Sequence, residues 1–124
     1  MAGMSVFKSL AEIGPLPIWH GVAARAVEGK EMTVAIVELH PNSHVSQHQH
    51  PNEQIGVVLK GTMTFTIGGE RRDLVAGDTY CIPGNVLHEA LTGPDGAVVV
   101  DCFAPVRADW KKFTAAEPSR PAWP

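Results

Sequence analysis

The sequence has no apolar run approaching the roughly 20 residues that a membrane-spanning helix needs. It is also short of positive charge: ten Lys and Arg stand against thirteen Asp and Glu, for a net charge of −3. Arg71-Arg72 and Lys111-Lys112 are its only basic doublets. Without a basic stripe, neither nucleic acid nor a membrane surface is expected as a partner. Only two cysteines occur, Cys81 and Cys102, and they do not form a CxxC pair. They read as reduced core thiols, the state expected of a cytoplasmic protein. Met1 to Leu10 shows no charged region followed by an apolar one and a cleavage site, so no export signal is expected. Internal repeats and linkers are lacking too, which leaves one domain over residues 1–124. That length can bury about two-thirds of the unfolded chain's surface.

Strand signals fill most of the chain. Apolar residues make up 44% and charged residues 19%, the balance of an ordinary globular domain. A short helical turn is expected over Leu10 to Ile13, before Pro15 and Pro17 impose an extended path. Trp19 to Val27 reads as an edge strand or arm and Thr33 to Leu39 as a β-branched strand closed by Pro41-Asn42. Val45 to His50 forms a short polar strand, ended by Pro51-Asn52. Gln54 to Lys60 is nearly all apolar and is expected to be buried on both faces, with Lys60-Gly61 as a turn. Thr62 to Ile67 alternates strictly, and Gly68-Gly69 is a hairpin signal returning the chain through Glu70 to Leu74. Further strands are expected at Thr79 to Ile82, Val86 to Thr92 and Ala97 to Ala104, the last two separated by a Gly93-Pro94-Asp95-Gly96 loop. One helical turn is expected at Asp109 to Phe113, and the proline-rich tail from Glu117 reads as extended across a neighbour or disordered. Short strands punctuated every 8–12 residues or so, with almost no helix, predict an all-β sandwich or barrel.

Within this framework His48-Gln49-His50 stands out. Two residues apart on one strand, side chains share a face, and two imidazoles so placed can close on one ion at roughly 2.0–2.1 Å from each nitrogen. Gln54 can swing its amide oxygen to the same point, and His88, after the Pro83 turn, offers a third imidazole. His20, His40 and His44 read as ordinary surface or core residues. On the final strand Asp101 and Phe103 share a face opposite Val100 and Cys102. An aspartate in so apolar a strand is costly to bury unless paired or functional; otherwise it sits at the rim. Arg107, beyond Pro105, reads as a surface residue or as the partner of Asp101.

These spacings resemble the cupin superfamily. Its first motif runs from a glycine through HxH and a glutamate to a second glycine, matched here by Asn42, His48-x-His50, Gln54 and Gly61 at the family's spacings. Its second motif, a glycine, then P-x-G, then a histidine, is matched by Gly77, Pro83-Gly84-Asn85 and His88. The resemblance implies a double-stranded β-helix, or jelly roll, with its core at about residues 19–110, an N-terminal arm 1–18 and a tail 111–124. It further implies one divalent transition metal (nickel, zinc, iron, cobalt or manganese) and homodimers. Asn42 and Asn85 replace glycines, and asparagine enters left-handed backbone readily, so both turns should survive. Gln54 replaces the usual glutamate. A divalent ion held by neutral ligands keeps its full charge, which favours Lewis-acid chemistry over a 2-His-1-carboxylate oxygenase site. The amide can also merely brace a ligand.

The combination of H-x-H-P-x-E-Q with D-x-F-x-P-x-R-x-D-W at residues 101–110 is similar to a narrower group, the pectin-degradation cupins that linearise unsaturated monouronates. In that group the residues matching His48, His50, Gln54 and His88 hold the metal, and those matching Asp101, Phe103 and Arg107 line the active site. The resemblance implies a small anionic sugar as ligand, Asp101 as proton carrier, Arg107 as a bidentate clamp on a carboxylate and Phe103 as an apolar wall. A dioxygenase or another isomerase on the same scaffold, or a non-catalytic metabolite-binding cupin, are the alternative expectations.

Overall fold

The computed structural model describes residues 5–124, so the first four residues of the expected N-terminal arm lie outside it. Eight strands follow a short 3-10 turn at Leu10–Glu12: β1 (Leu16–Trp19), β2 (Val22–Glu28), β3 (Thr33–Leu39), β4 (His44–His48), β5 (Glu53–Ile67), β6 (Glu70–Val75), β7 (Thr79–Ile82) and β8 (His88–Ala104). A second 3-10 turn spans Ala108–Lys112. All pairings are antiparallel, in the order β1-β2-β3-β8-β5-β6, with β4 added to β8 and β7 to β5.

The two long strands explain the architecture. The first half of β5 lies between β7 and β8, and its second half between β6 and β8. The C-terminal half of β8 lies between β3 and β5, and its N-terminal half between β4 and β5. Each long strand therefore serves two sheets, and the register slips between Val58 and Lys60 and between Gly61 and Met63 where it changes sheet. Strands commonly turn such corners at bulges. Apolar residues of both halves meet in one core that includes Ala24, Val37, Val99 and Phe103 with Met63, Phe65 and Ala90.

Several expectations are corrected here. Lys60-Gly61 is not a turn but a bulge inside β5. Gly61, at φ +81°, passes so close to Gly96 that a Cβ would lie 2.1 Å from its carbonyl oxygen. Gly93-Pro94-Asp95-Gly96 likewise does not separate two strands but bulges within β8, between Thr92 paired to Met63 and Ala97 paired to Gly61. That strand starts at His88 rather than Val86. The stretch from Gln54 to Lys60 is not buried on both faces: Gln54, Gly56 and Val58 point inward while Ile55 is 49% exposed. Trp19 to Val27 is a hairpin broken at His20-Gly21, and β4 ends at His48, leaving His50 in the loop that follows. Neither cysteine is a core thiol: Cys81 is exposed and Cys102 half-buried, both on the outer face. The Gly68-Gly69 hairpin forms as expected, Ile67 pairing with Glu70. Asn42 and Asn85 take φ of 56° and 62°, the left-handed conformation expected where the motifs carry glycine.

The tail lies against its own domain. Arg25, only 2% exposed, points outward from β2 and donates to Leu10 O and Ile13 O of the N-terminal arm and to Ser119 O and Oγ of the tail, at 2.8–3.2 Å. The tail then crosses β3, where Ala122 N donates to Glu38 Oε1 at 2.6 Å. One buried guanidinium thus ties both ends of the chain to the outer face of the sheet.

Candidate functional site

Three imidazoles converge on the inner face. His48 closes β4, His88 opens β8 directly opposite it, and His50 reaches in from the loop after β4. One nitrogen from each lies within 4.8 Å of the others. An ion holding nitrogens at about 2.0–2.1 Å needs them no more than roughly 4.2 Å apart, so a few tenths of an ångström would close the cluster. The His50 loop is fixed from two sides: Asn85 N donates to His50 O at 2.7 Å, and the buried Asn52 amide donates to Pro105 O at 2.6 Å.

Backbone carbonyls orient all three rings. Nδ1 of His48, His50 and His88 sits 2.7, 3.0 and 2.8 Å from the oxygens of Ser46, Asn52 and Val86. A carbonyl oxygen only accepts, so each ring carries its proton on Nδ1 and presents a bare Nε2. The buried Nε2 of His88 has no hydrogen-bond partner among the described residues. The Nε2 of His50 faces Gln54 Oε1 at 3.1 Å. With its proton already committed to Asn52, that nitrogen has nothing to donate, and two acceptors point at one another. Lone pairs so arranged fit a cation between them, with the carbonyls supplying the outer hydrogen bonds that metal-bound histidines require. Burial, reinforced by Arg107 for His50, depresses the basicity of both inner rings, that of His88 to about 4, which keeps them neutral and available as ligands.

The cluster opens into a cavity of about 270 Å³, at the small end of ligand pockets. Its walls include Met63, Phe65, Val99 and Phe103. Trp19, 39% exposed, stands beside His48 with ring centroids 5.4 Å apart. Asp101 enters the same cavity, 6% exposed, and burial pushes its carboxyl up to about 6 despite the Tyr80 hydroxyl that donates to Oδ1 at 2.5 Å. Phe103 lies two residues along, its ring 5.9 Å from that of His50.

Arg107 departs from expectation. It is neither a free surface residue nor bonded to Asp101: its Nε and Nη2 donate to the two carboxylate oxygens of Asp109 at 3.1 and 2.9 Å. Its guanidinium carbon lies 4.6 Å from the ring centres of both Phe103 and Trp110, a doubly stacked cation. One bidentate edge is therefore already taken, and the edge carrying Nη1 is left to a ligand. All seven residues singled out from the sequence (His48, His50, Gln54, His88, Asp101, Phe103 and Arg107) line this one cavity. His20 and His40 do not line it, and His44 instead pairs with Glu89 across β4 and β8 at 2.6 Å.

The family model described as a cupin domain matches residues 35–103, more than half of the chain. The protein belongs to the cupin family. Over 64 residues, 51% of its length, this cupin is 38% identical to the pectin degradation protein KdgF of Dickeya dadantii strain 3937, and the match covers 58% of that protein. The chain thus spans somewhat over half the length of that curated relative. Among solved structures, an RmlC-like cupin from Shewanella frigidimarina superposes with a TM-score of 0.79 at 23% identity, over 89% of this chain and 99% of that one. The structure of KdgF from a Halomonas species superposes with a TM-score of 0.78 at 25% identity, over 86% and 98%.

What the spacings of this cupin do not reveal are the supports. Tyr80 and Gly56 have no motif position. Asp109 and Trp110 stand within the D-x-F-x-P-x-R-x-D-W stretch, yet only the structure shows that they clamp Arg107. Period-two alternation in Thr79–Ile82 does put Tyr80 and Ile82 on the inner face, a usable signal that Tyr80 faces the site.

Proposed function

We propose that this cupin is a metal-dependent, cytoplasmic enzyme that opens small unsaturated uronates to linear keto-uronates in the breakdown of pectin or alginate. The observation that carries the reading is a buried carboxyl, Asp101, in the same small cavity as three inward imidazoles whose bare nitrogens meet. The likeness to two pectin-degradation proteins supports the substrate class.

His48, His50, His88 and the Gln54 amide oxygen would hold one divalent transition ion. When bound, that ion supplies positive charge for the substrate oxygen on which negative charge develops. The rest falls to the chain's own side chains. Unsaturated uronates are cyclic hemiacetals whose ring oxygen belongs to an enol ether. Asp101, as carboxylate, takes the proton of the hemiacetal hydroxyl while the bond from the anomeric carbon to the ring oxygen breaks. That leaves an aldehyde and an enolate. The same carboxyl then returns the proton to the enolate carbon, giving the ketone; no atom or electron is gained or lost overall. A carboxyl raised to about 6 suits both halves of this exchange. Arg107, held by Asp109, would take the substrate carboxylate on its free edge, and Phe103 would cover the sugar face.

The test follows the ultraviolet absorbance of the unsaturated bond when metal-loaded protein meets an unsaturated galacturonate. Decay that depends on metal is expected, lost in His88→Ala and slowed about 10²–10⁴-fold in Asp101→Asn with metal retained. No decay with any divalent ion, or full activity in Asp101→Asn, would sink the reading.

A further inference from the structure

We propose that Tyr80 is the positioning residue of Asp101, and that Gly56 is the gap across which it acts. The inference deepens the reading of Asp101 as proton carrier and rests on it. β5 runs between β7 and β8, and Gly56 is paired with Tyr80 on one side and Asp101 on the other. The three residues form one row across three strands. Strands once removed are roughly 10 Å apart, twice the 4.7–4.9 Å spacing of neighbours, and a side chain on the middle strand ordinarily fills the space. Here the middle residue has none, and Tyr80 leans over Gly56 to donate its hydroxyl to Asp101 Oδ1 at 2.5 Å. A Cβ on Gly56 would lie 2.3 Å from Tyr80 Cζ and 2.4 Å from both the hydroxyl and Asp101 Oδ1. The backbone at Gly56 is not left-handed, so the glycine is needed for room and not for conformation.

The contact is one-ended. Among the described residues the Tyr80 hydroxyl has no hydrogen bond other than that to Asp101, and its ring packs on Phe65 with centroids 4.8 Å apart. Its hydroxyl therefore acts on this one carboxylate oxygen. It fixes Oδ1, while the Gln54 side chain also acts on the carboxylate from within the cavity. A carboxyl that collects a proton from one substrate atom and delivers it to another must keep its free oxygen in place through both steps. A displacement of about 1 Å in such geometry costs on the order of 100-fold in rate. Tyr80 holds that oxygen still while Gly56 lets it reach.

Two variants probe the contact from opposite sides. Tyr80→Phe removes the hydroxyl and keeps the ring; Gly56→Ala keeps every polar group and forces the pair apart. With unsaturated galacturonate and metal-loaded protein, both are expected to lower kcat about 100-fold, with KM and bound metal unchanged. In an Asp101→Asn background Tyr80→Phe should cause no further loss, whereas a residue that merely supports the fold would lower both backgrounds alike. Crystal structures of the two variants provide a readout free of any substrate: the Asp101 carboxylate should shift or take several rotamers. If wild-type protein turns over no unsaturated uronate, the uronate reading falls and these structures alone decide the positioning role. An Asp101 carboxylate unmoved in both variants overturns the proposal, whatever the activity.

Discussion

Burial acts on Asp101 and His88 in opposite senses, and so does pH. Asp101 binds its proton up to about pH 6 in the folded chain, against 3.8 for the ordinary group. Across that window the folded state holds more proton than the unfolded state, so this residue's contribution to stability falls as pH rises. His88 releases its proton near 4 rather than 6.5, and His50 is depressed as well. There the folded state holds less proton, and stability rises with pH. Each full shift corresponds to about 3 kcal/mol, and in metal-free protein the two largely offset. Asp101→Asn removes the falling limb. Urea midpoints of the metal-free variant should therefore climb more steeply between pH 4 and 6.5 than those of the wild type, and equal slopes would show that the Asp101 carboxyl is not raised. At this scale the histidine cluster was legible because HxH, Gln54 and His88 carry their meaning in spacing along the chain. Tyr80 and Gly56 were not. Their meaning lies in a register across three strands, which no linear spacing encodes.

Among the elements, glycine and proline signals mark bulges as well as turns. Gly68-Gly69 does close a hairpin, but Lys60-Gly61 and Gly93-Pro94-Asp95-Gly96 are bulges that let β5 and β8 pass from one sheet to the other. The same residue types permit both, and only the pairing partner distinguishes them. The tail was equally opaque, because a proline-rich sequence docks wherever its carbonyls find donors. Here the donor is Arg25, which binds carbonyls from both ends of the chain. Arg25→Met keeps the apolar stem but orphans those carbonyls, and it should cost about 3–5 kcal/mol in chemical unfolding. Limited proteolysis should then cut within the arm or the tail before the barrel. An unchanged unfolding midpoint would mean the strap is incidental.

At the scale of the whole molecule, a bound ion and a second copy would both bear on stability. A metal supplied at about 100 times its dissociation constant should stabilise the native state by about 2.7 kcal/mol. For a domain of this size that raises Tm by roughly 8–14 °C, a shift that scanning calorimetry should detect and that His88→Ala should abolish. Outside the barrel, Cys81, Ile55, Cys102, Val34 and Val27 form an apolar row in register across five strands, with Val57, Val100 and Ile36 beside it. The tail covers only the Arg25–Glu38 end of this face. We propose that a second copy pairs there, since the row is uncharged and its apolar side chains are left open, Val27 at 58% and Ile55 at 49% exposed. Light scattering should give a dimer, and Ile55→Lys a monomer; a monomeric wild type would refute the pairing.

The bulge in β8 has a consequence for how this chain can change length. His88 lies before the bulge and Asp101 after it, each locked to its own stretch of β5, at Ile67 and at Gly56. Adding or deleting one residue elsewhere in β8 would turn one of them to the wrong face of the barrel. Residues 93–96 are opposed by Thr62 alone, so they can absorb an insertion while both flanking registers stand. This short stretch is the slack in an otherwise tightly indexed strand, and it is where a foreign peptide could be spliced into β8 with the site left intact.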